Sequence, residues 1–158
     1  MAGEGPGPLA VHIRTAIPPD LDAIEAVLRA AAMVWEQDRP FLEAHPEAIV
    51  VPVELVSRGQ VEVAVIAGSV VGFASHSLID AVSWEVEDLF VRPELMRRGI
   101  GRRLVGEMTR AAEAAGCIRL EVTANPQAAG FYRALGFVDV GMVATAWRPG
   151  FRMHRELG

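Results

Sequence analysis

The chain has 158 residues, of which 51% are hydrophobic and 22% charged, with a formal net charge of −5. That length suits one domain able to bury roughly two-thirds of its unfolded surface, and the composition excludes a disordered or fibrous protein. The acidic balance argues against general nucleic-acid binding, and the single cysteine, Cys117, excludes an internal disulfide and a cysteine-based zinc site.

Met1 to Pro8 has neither a basic start nor an apolar core, so it is expected to be a flexible tail, with one domain over 9–158 and a cytoplasmic setting. Apolar runs such as Val61 to Ala67 are too short to span a bilayer, so no membrane partner is expected. No metal is expected either. Leu9 to Thr15 alternates as a strand, with Val11 and Ile13 on one face. Pro18-Pro19-Asp20 opens a helix that carries Leu21, Ile24, Leu28 and Ala31. Pro40, Pro46 and Pro52 then divide the chain into short pieces, with helices expected near Phe41 to Ala44 and Val53 to Val56.

Val61 to Ala67 and Val70 to Leu78 read as a hairpin turning at Gly68-Ser69, and Asp80-Ala81 leads into a strand from Trp84 to Val91. The spacing predicts a helix over Gly99 to Ala115, its buried face marked by Ile100, Leu104, Met108, Ala111 and Ala115. A strand over Ile118 to Thr123 follows. Asn125-Pro126 then caps a helix containing Ala128, Phe131, Tyr132 and Leu135 and stopping at Gly136. Phe137 to Gly141 and Gly150 to Leu157 complete the order as strands. This is one mixed α/β layer structure.

The segment from Val86 to Arg103 carries the chemistry. A strand ends there, a loop bends, and a helix begins at Gly99-Ile-Gly101. The first N–H groups of a helix lack internal partners and its dipole is positive at that end, so the turn is an anion site. Arg92, Arg97, Arg98, Arg102 and Arg103 crowd the same stretch of an acidic chain. Cations there oppose the dipole at about 0.3–1 kcal/mol each, and a bound anion removes the conflict. A dinucleotide fingerprint would place a third glycine where Leu104 stands, and a P-loop would need Gly-Lys-Ser/Thr.

Leu89-Phe-Val-Arg-Pro93 followed by Gly99-Ile-Gly101 resembles the coenzyme A motif of the GNAT superfamily of N-acetyltransferases, with Met96 where Gln or Arg is usual. Asn125-Pro-Gln-Ala-Ala-Gly-Phe-Tyr-Arg-Ala-Leu-Gly-Phe137 is similar to the family's Asn-x-x-Ala-x-x-Phe-Tyr-x-x-x-Gly-Phe segment. The resemblance covers roughly Val61 to Gly141. It implies an α/β (α+β) fold with a mixed, mostly antiparallel central sheet of six or seven strands flanked by helices. It also implies transfer of the acetyl group of acetyl-coenzyme A to the amine of a small molecule or peptide, through a tetrahedral intermediate. A coenzyme A sensor without turnover is the rival reading. Members of the family often form homodimers, and the sequence leaves that open.

The resemblance also suggests roles. Arg97, Arg98, Gly99, Ile100, Gly101 and Arg102 would hold the diphosphate. Leu89, Phe90 and Val91 would run beside the pantetheine arm, joined there by Asn125. Tyr132 would contact the coenzyme and protonate the leaving thiolate. For the base, Glu85, Glu87 and Asp88 lie at the start of the strand; Glu87 is favoured, then Asp88. Simple alternation puts Glu85 and Glu87 on one face with Leu89, and Asp88 on the other. Trp35, Phe41 and His76 are candidates for contact with the acceptor.

Overall fold

Seven strands come together in one sheet. The computed structural model describes residues 10–34, 38–145 and 149–158; the expected tail therefore lies outside the described residues. In chain order the elements are β1 (His12–Thr15), α1 (Leu21–Ala32), α2 (Arg39–Ala44), α3 (Val53–Ser57), β2 (Val61–Ile66), β3 (Ser69–Asp80) and β4 (Ser83–Val91). They continue with α4 (Ile100–Ala114), β5 (Arg119–Ala124), α5 (Ala129–Ala134), β6 (Val138–Val143) and β7 (Gly150–Glu156). No helix among the described residues is long and apolar enough to cross a membrane.

Strand order is β1-β2-β3-β4-β5-β7-β6, and every neighbouring pair is antiparallel except β4 with β5. The mixed, mostly antiparallel sheet is the one the sequence implied. On one face α4 and α5 pack through Leu104, Met108 and Tyr132 against Val86, Leu120, Val122 and Met153. On the other, Ile24, Val27 and Leu42 of α1 and α2 cover Val61, Val63 and Phe73. Each of these fully buried aliphatic side chains contributes about 1.5–3 kcal/mol by leaving water.

Three local expectations need correction. The β2–β3 register pairs Ile66 with Ser69, so the turn is Ala67-Gly68, not Gly68-Ser69. Both turn residues have positive φ, 50° and 81°, as the right-handed twist of a tight hairpin demands. The buried stripe of α4 is Ile100, Leu104, Val105, Met108 and Ala112, while Ala111 and Ala115 face solvent. A helix repeating every 3.6 residues returns to that face at position 112. Third, β4 bulges. Ser75 pairs with Asp88 but His76 pairs with Val86, which leaves Glu87 as an extra residue.

The bulge lies where the sheet opens. Parallel pairing of β4 with β5 runs from Ser83 opposite Arg119 to Val86 opposite Val122 and then stops. Beyond it β4 follows β3 as far as Val91 opposite Gly72, and β5 follows β7 through Ala124 opposite Phe151. The two strands part company there. Just before the opening, Arg152 of β7 reaches across β5 to β4. Its guanidinium meets both Glu85 oxygens at 2.7 and 2.8 Å, Glu121 at 2.9 Å and the Thr123 hydroxyl at 3.0 Å.

Candidate active site

Two cavities meet where β4 and β5 separate. One, of about 530 Å³, lies toward the start of α4; the other, of about 450 Å³, lies toward α1 and α2. They share Ala32, Leu89, Phe90, Asn125, Ala128 and Tyr132 as walls.

The first cavity is lined by Leu89 to Val91, by Arg97, Gly99, Ile100, Gly101 and Arg102, and by Phe131 of α5. Gly99 is the N-terminal cap of α4 with φ of 83°, and no side chain caps the helix. The first amides of α4 therefore face the loop without an internal acceptor. A Cβ on Gly99 would meet nothing within 4 Å, so the demand for glycine is conformational. Gly101 differs: a Cβ there would stand 3.3 Å from the Phe131 ring, so this glycine lets α5 pack close to α4.

The arginines divide. Arg103 donates to the Val11 carbonyl at 2.9 Å, and Arg92 lies 3.9 Å from Glu94. Arg97, Arg98 and Arg102 are exposed and make no ion pair among the described residues. Arg97 also takes a left-handed φ of 63°, unusual for a residue with a Cβ. Gln127, absent from the sequence reading, lines the same cavity; its Oε1 is buried with no hydrogen-bond partner among the described residues. Such an atom fits a ligand carrying N–H donors.

Tyr132 stands where the cavities join. It is 5% exposed and sits edge-on to Phe131 and Phe137, with centroids 5.2 and 5.3 Å away. Burial, reinforced by the Asp88 carboxylate, pushes the phenol above its ordinary value, so it stays protonated at neutral pH. None of the described hydrogen bonds involves its hydroxyl. Asn125 Oδ1 accepts from the Ala128 N–H at 2.8 Å and so shapes the turn into α5 while lining both cavities.

The carboxylates are arranged differently from simple alternation. Ser75 and Ser77, two residues apart on β3, share a face, and they donate to Asp88 and Glu87 respectively, each at 2.5 Å. Consecutive Glu87 and Asp88 thus project to the same side, because Glu87 is itself the extra residue that the bulge inserts between Val86 and Asp88. Leu89 instead packs with Val86. Burial raises the Asp88 carboxyl; the Ser75 hydrogen bond works the other way, and neighbouring Glu87 adds to the rise. Glu85 is tied to Arg152 and lines neither cavity.

Of the acceptor candidates, Phe41 lines the second cavity and stacks on His45 at 4.4 Å. Trp35 lies outside the described residues. His76 is placed elsewhere: it stacks on Trp84 at 3.8 Å and 5°, on the α4 face of the sheet. It is 6% exposed, and burial draws its imidazole down to about 4, so it is neutral. Alternation on β3 turns Ser75 and Ser77 toward the Asp88 and Glu87 carboxylates and His76 away from them. Sequence reasoning missed both serines and Arg152. The serines become visible only once the β3–β4 register is known, and nothing local to Arg152 marks it.

Comparison with known proteins identifies the family and the fold. The family described as acetyltransferase (GNAT) domain matches residues 57–139. An N-alpha-acetyltransferase, RimI, of Mycobacterium tuberculosis is 35% identical over 99 residues, covering 58% of this chain and 62% of the relative. An uncharacterized Mycobacterium leprae protein is 38% identical over 80 residues, or 48% of this chain and 22% of its own. The chain therefore spans less than two-thirds of either relative. Among solved structures, the PaiA N-acetyltransferase of Thermoplasma acidophilum in complex with coenzyme A has a similar fold. It superposes with a TM-score of 0.79 at 19% identity, covering 94% of this chain and 99% of the other.

Proposed function

Since the chain belongs to the GNAT acetyltransferase domain family, we propose that it transfers the acetyl group of acetyl-coenzyme A to a primary amine. The observation that carries this reading is the convergence at one split in the sheet. A helix start without a side-chain cap, flanked by arginines that make no ion pair among the described residues, lies on one side, two carboxylates lie on the other, and a buried tyrosine stands between. Coenzyme A suits the first cavity. The α4 amides with Arg97, Arg98 and Arg102 would hold its phosphates, and Gln127 would accept from one of its amides. RimI and PaiA are named as N-acetyltransferases, and the PaiA structure contains coenzyme A.

In this mechanism Asp88 and Glu87 collect the proton that an ammonium acceptor releases, since an amine with a pKa near 10 is mostly charged at neutral pH. The free amine adds to the thioester carbonyl. A backbone N–H near Leu89 or Phe90 supports the oxyanion, where the bulged strand leaves its neighbour. The C–S bond breaks as the C–N bond is kept; the nitrogen gives up its second proton to the carboxylate pair, and Tyr132 directs its phenol proton at the departing thiolate, which is finally protonated from solvent. Because its phenol holds that proton more firmly than usual, Tyr132 stabilises the thiolate mainly as a hydrogen-bond donor. A thermal shift with acetyl-coenzyme A, followed by an acceptor screen that detects free thiol, tests the proposal. No stabilisation at saturating coenzyme would sink it.

A further inference from the structure

Two serine-to-carboxylate hydrogen bonds of equal length stand side by side at the bulge, in different surroundings. Ser75 donates to Asp88 Oδ2 and Ser77 to Glu87 Oε1, each at 2.5 Å. Ser75 is fully buried, whereas Glu87 is exposed. Water readily replaces a lost donor at an exposed carboxylate, but inside the protein a hydrogen bond to a charge weighs more. Asp88 also stands close enough to Tyr132 for its charge to act on the phenol. The other groups around it are Glu87 on its own strand and Ser75 on β3. From α1 and α2 the cavity receives Leu28, Phe41 and Leu42, and from β5 Thr123. Burial lifts the Asp88 carboxyl above its ordinary value, the Ser75 hydrogen bond opposes that rise, and the Glu87 charge adds to it.

Resting on the acetyl-transfer reading, we propose that Ser75 is a positioning residue that divides the work of the two carboxylates. Its hydroxyl engages Asp88 Oδ2 and leaves Oδ1 to take the proton of the bound ammonium. The N–H bond breaks as the Oδ1–H bond forms, and the proton then leaves to solvent through exposed Glu87. A hydroxyl that donates to the charged carboxylate keeps Asp88 ready to accept at neutral pH.

Carbon NMR of the Asp88 and Glu87 carboxyls against pH, in the full chain and assigned with Asp88→Asn and Glu87→Gln, tests this. Ser75→Ala should move the Asp88 midpoint upward by about one pH unit, because a partly buried charge loses a hydrogen bond. Ser75→Thr, which keeps the hydroxyl, should return it, and Ser77→Ala should leave it in place. With isoamylamine and spermidine as acceptors at saturating acetyl-coenzyme A, the acid limb of kcat/KM should follow the Asp88 midpoint in each variant. An Asp88 midpoint unmoved by Ser75→Ala overturns the proposal, as does an acid limb that ignores a moved midpoint or follows Glu87 instead. So does failure to acetylate either amine by protein that acetyl-coenzyme A stabilises thermally. Absence of that stabilisation is a separate result: it removes the acetyl-transfer reading and this proposal with it.

Discussion

Replacing Arg152 with methionine tests whether the charge cluster holds the sheet together where it divides. Methionine keeps much of the side-chain volume but leaves Glu85 and Glu121 facing each other, as they are direct partners across β4 and β5. The side chains of Arg152, Glu85 and Glu121 are 24%, 17% and 21% exposed, neither surface nor deep core. Exposed pairs contribute about 0.2–1 kcal/mol, and breaking a buried one costs about 3–5 kcal/mol. An intermediate loss of about 2–3 kcal/mol is expected, and for a chain of this size that is a fall of roughly 4–12 °C in Tm. The assay is thermal or urea unfolding of Arg152→Met, Glu85→Gln and the double variant. If two stranded carboxylates cause the loss, the double variant recovers part of it. A Tm within a degree of the parent, or a double variant weaker than both single changes added together, refutes the reasoning. The acetyl-coenzyme A thermal shift should also shrink in Arg152→Met, because the cluster fixes the strands just before the cavities begin.

Tyr132→Phe should lower kcat by roughly 10²-fold if the phenol assists thiolate departure, with the acetyl-coenzyme A thermal shift retained; unchanged turnover across pH would remove the role. Gly99→Ala should cost about 1–2 kcal/mol, because φ of 83° opposes a Cβ even though space is open, and should weaken coenzyme binding in a titration. His76 sets an acid limit. Its folded value of about 4 lies below the ordinary 6.5, so the unfolded chain binds the proton more readily between those values. Stability is therefore full above about pH 6.5 and falls as pH drops toward 4, by up to about 3 kcal/mol. Urea unfolding of His76→Phe against the parent should show a flatter pH dependence.

Much of this architecture was legible in the sequence because punctuation and period agreed. Gly116 and Gly136 stop helices, Asn125 caps a turn, and Leu104 and Met108 mark a buried face. What escaped depends on pairing between distant segments. Strict alternation put Glu87 and Asp88 on opposite faces, yet the bulge that unites them exists only in relation to Ser75 and His76. His76 looked like a site residue by chain position, and its face follows from the same register. Arg152 lies 67 residues from Glu85, a separation across which spacing carries no information. Gly101 shows a second role that the motif did not reveal: it lines the first cavity, and its missing side chain also makes room for the Phe131 ring.

The lone parallel pairing has a consequence for where chemistry can occur. Antiparallel neighbours need only a turn between them, but β5 can lie parallel to β4 only if the chain travels back along the sheet first, and α4 is that return path. A crossover helix must start beside the carboxyl end of the strand that feeds it. Its electropositive end is thereby delivered to the very edge at which β4 and β5 diverge. Topology thus fixes the address for an anion before any side chain is chosen. The arginines, Glu87, Asp88 and Tyr132 are side chains that the sequence adds around that address.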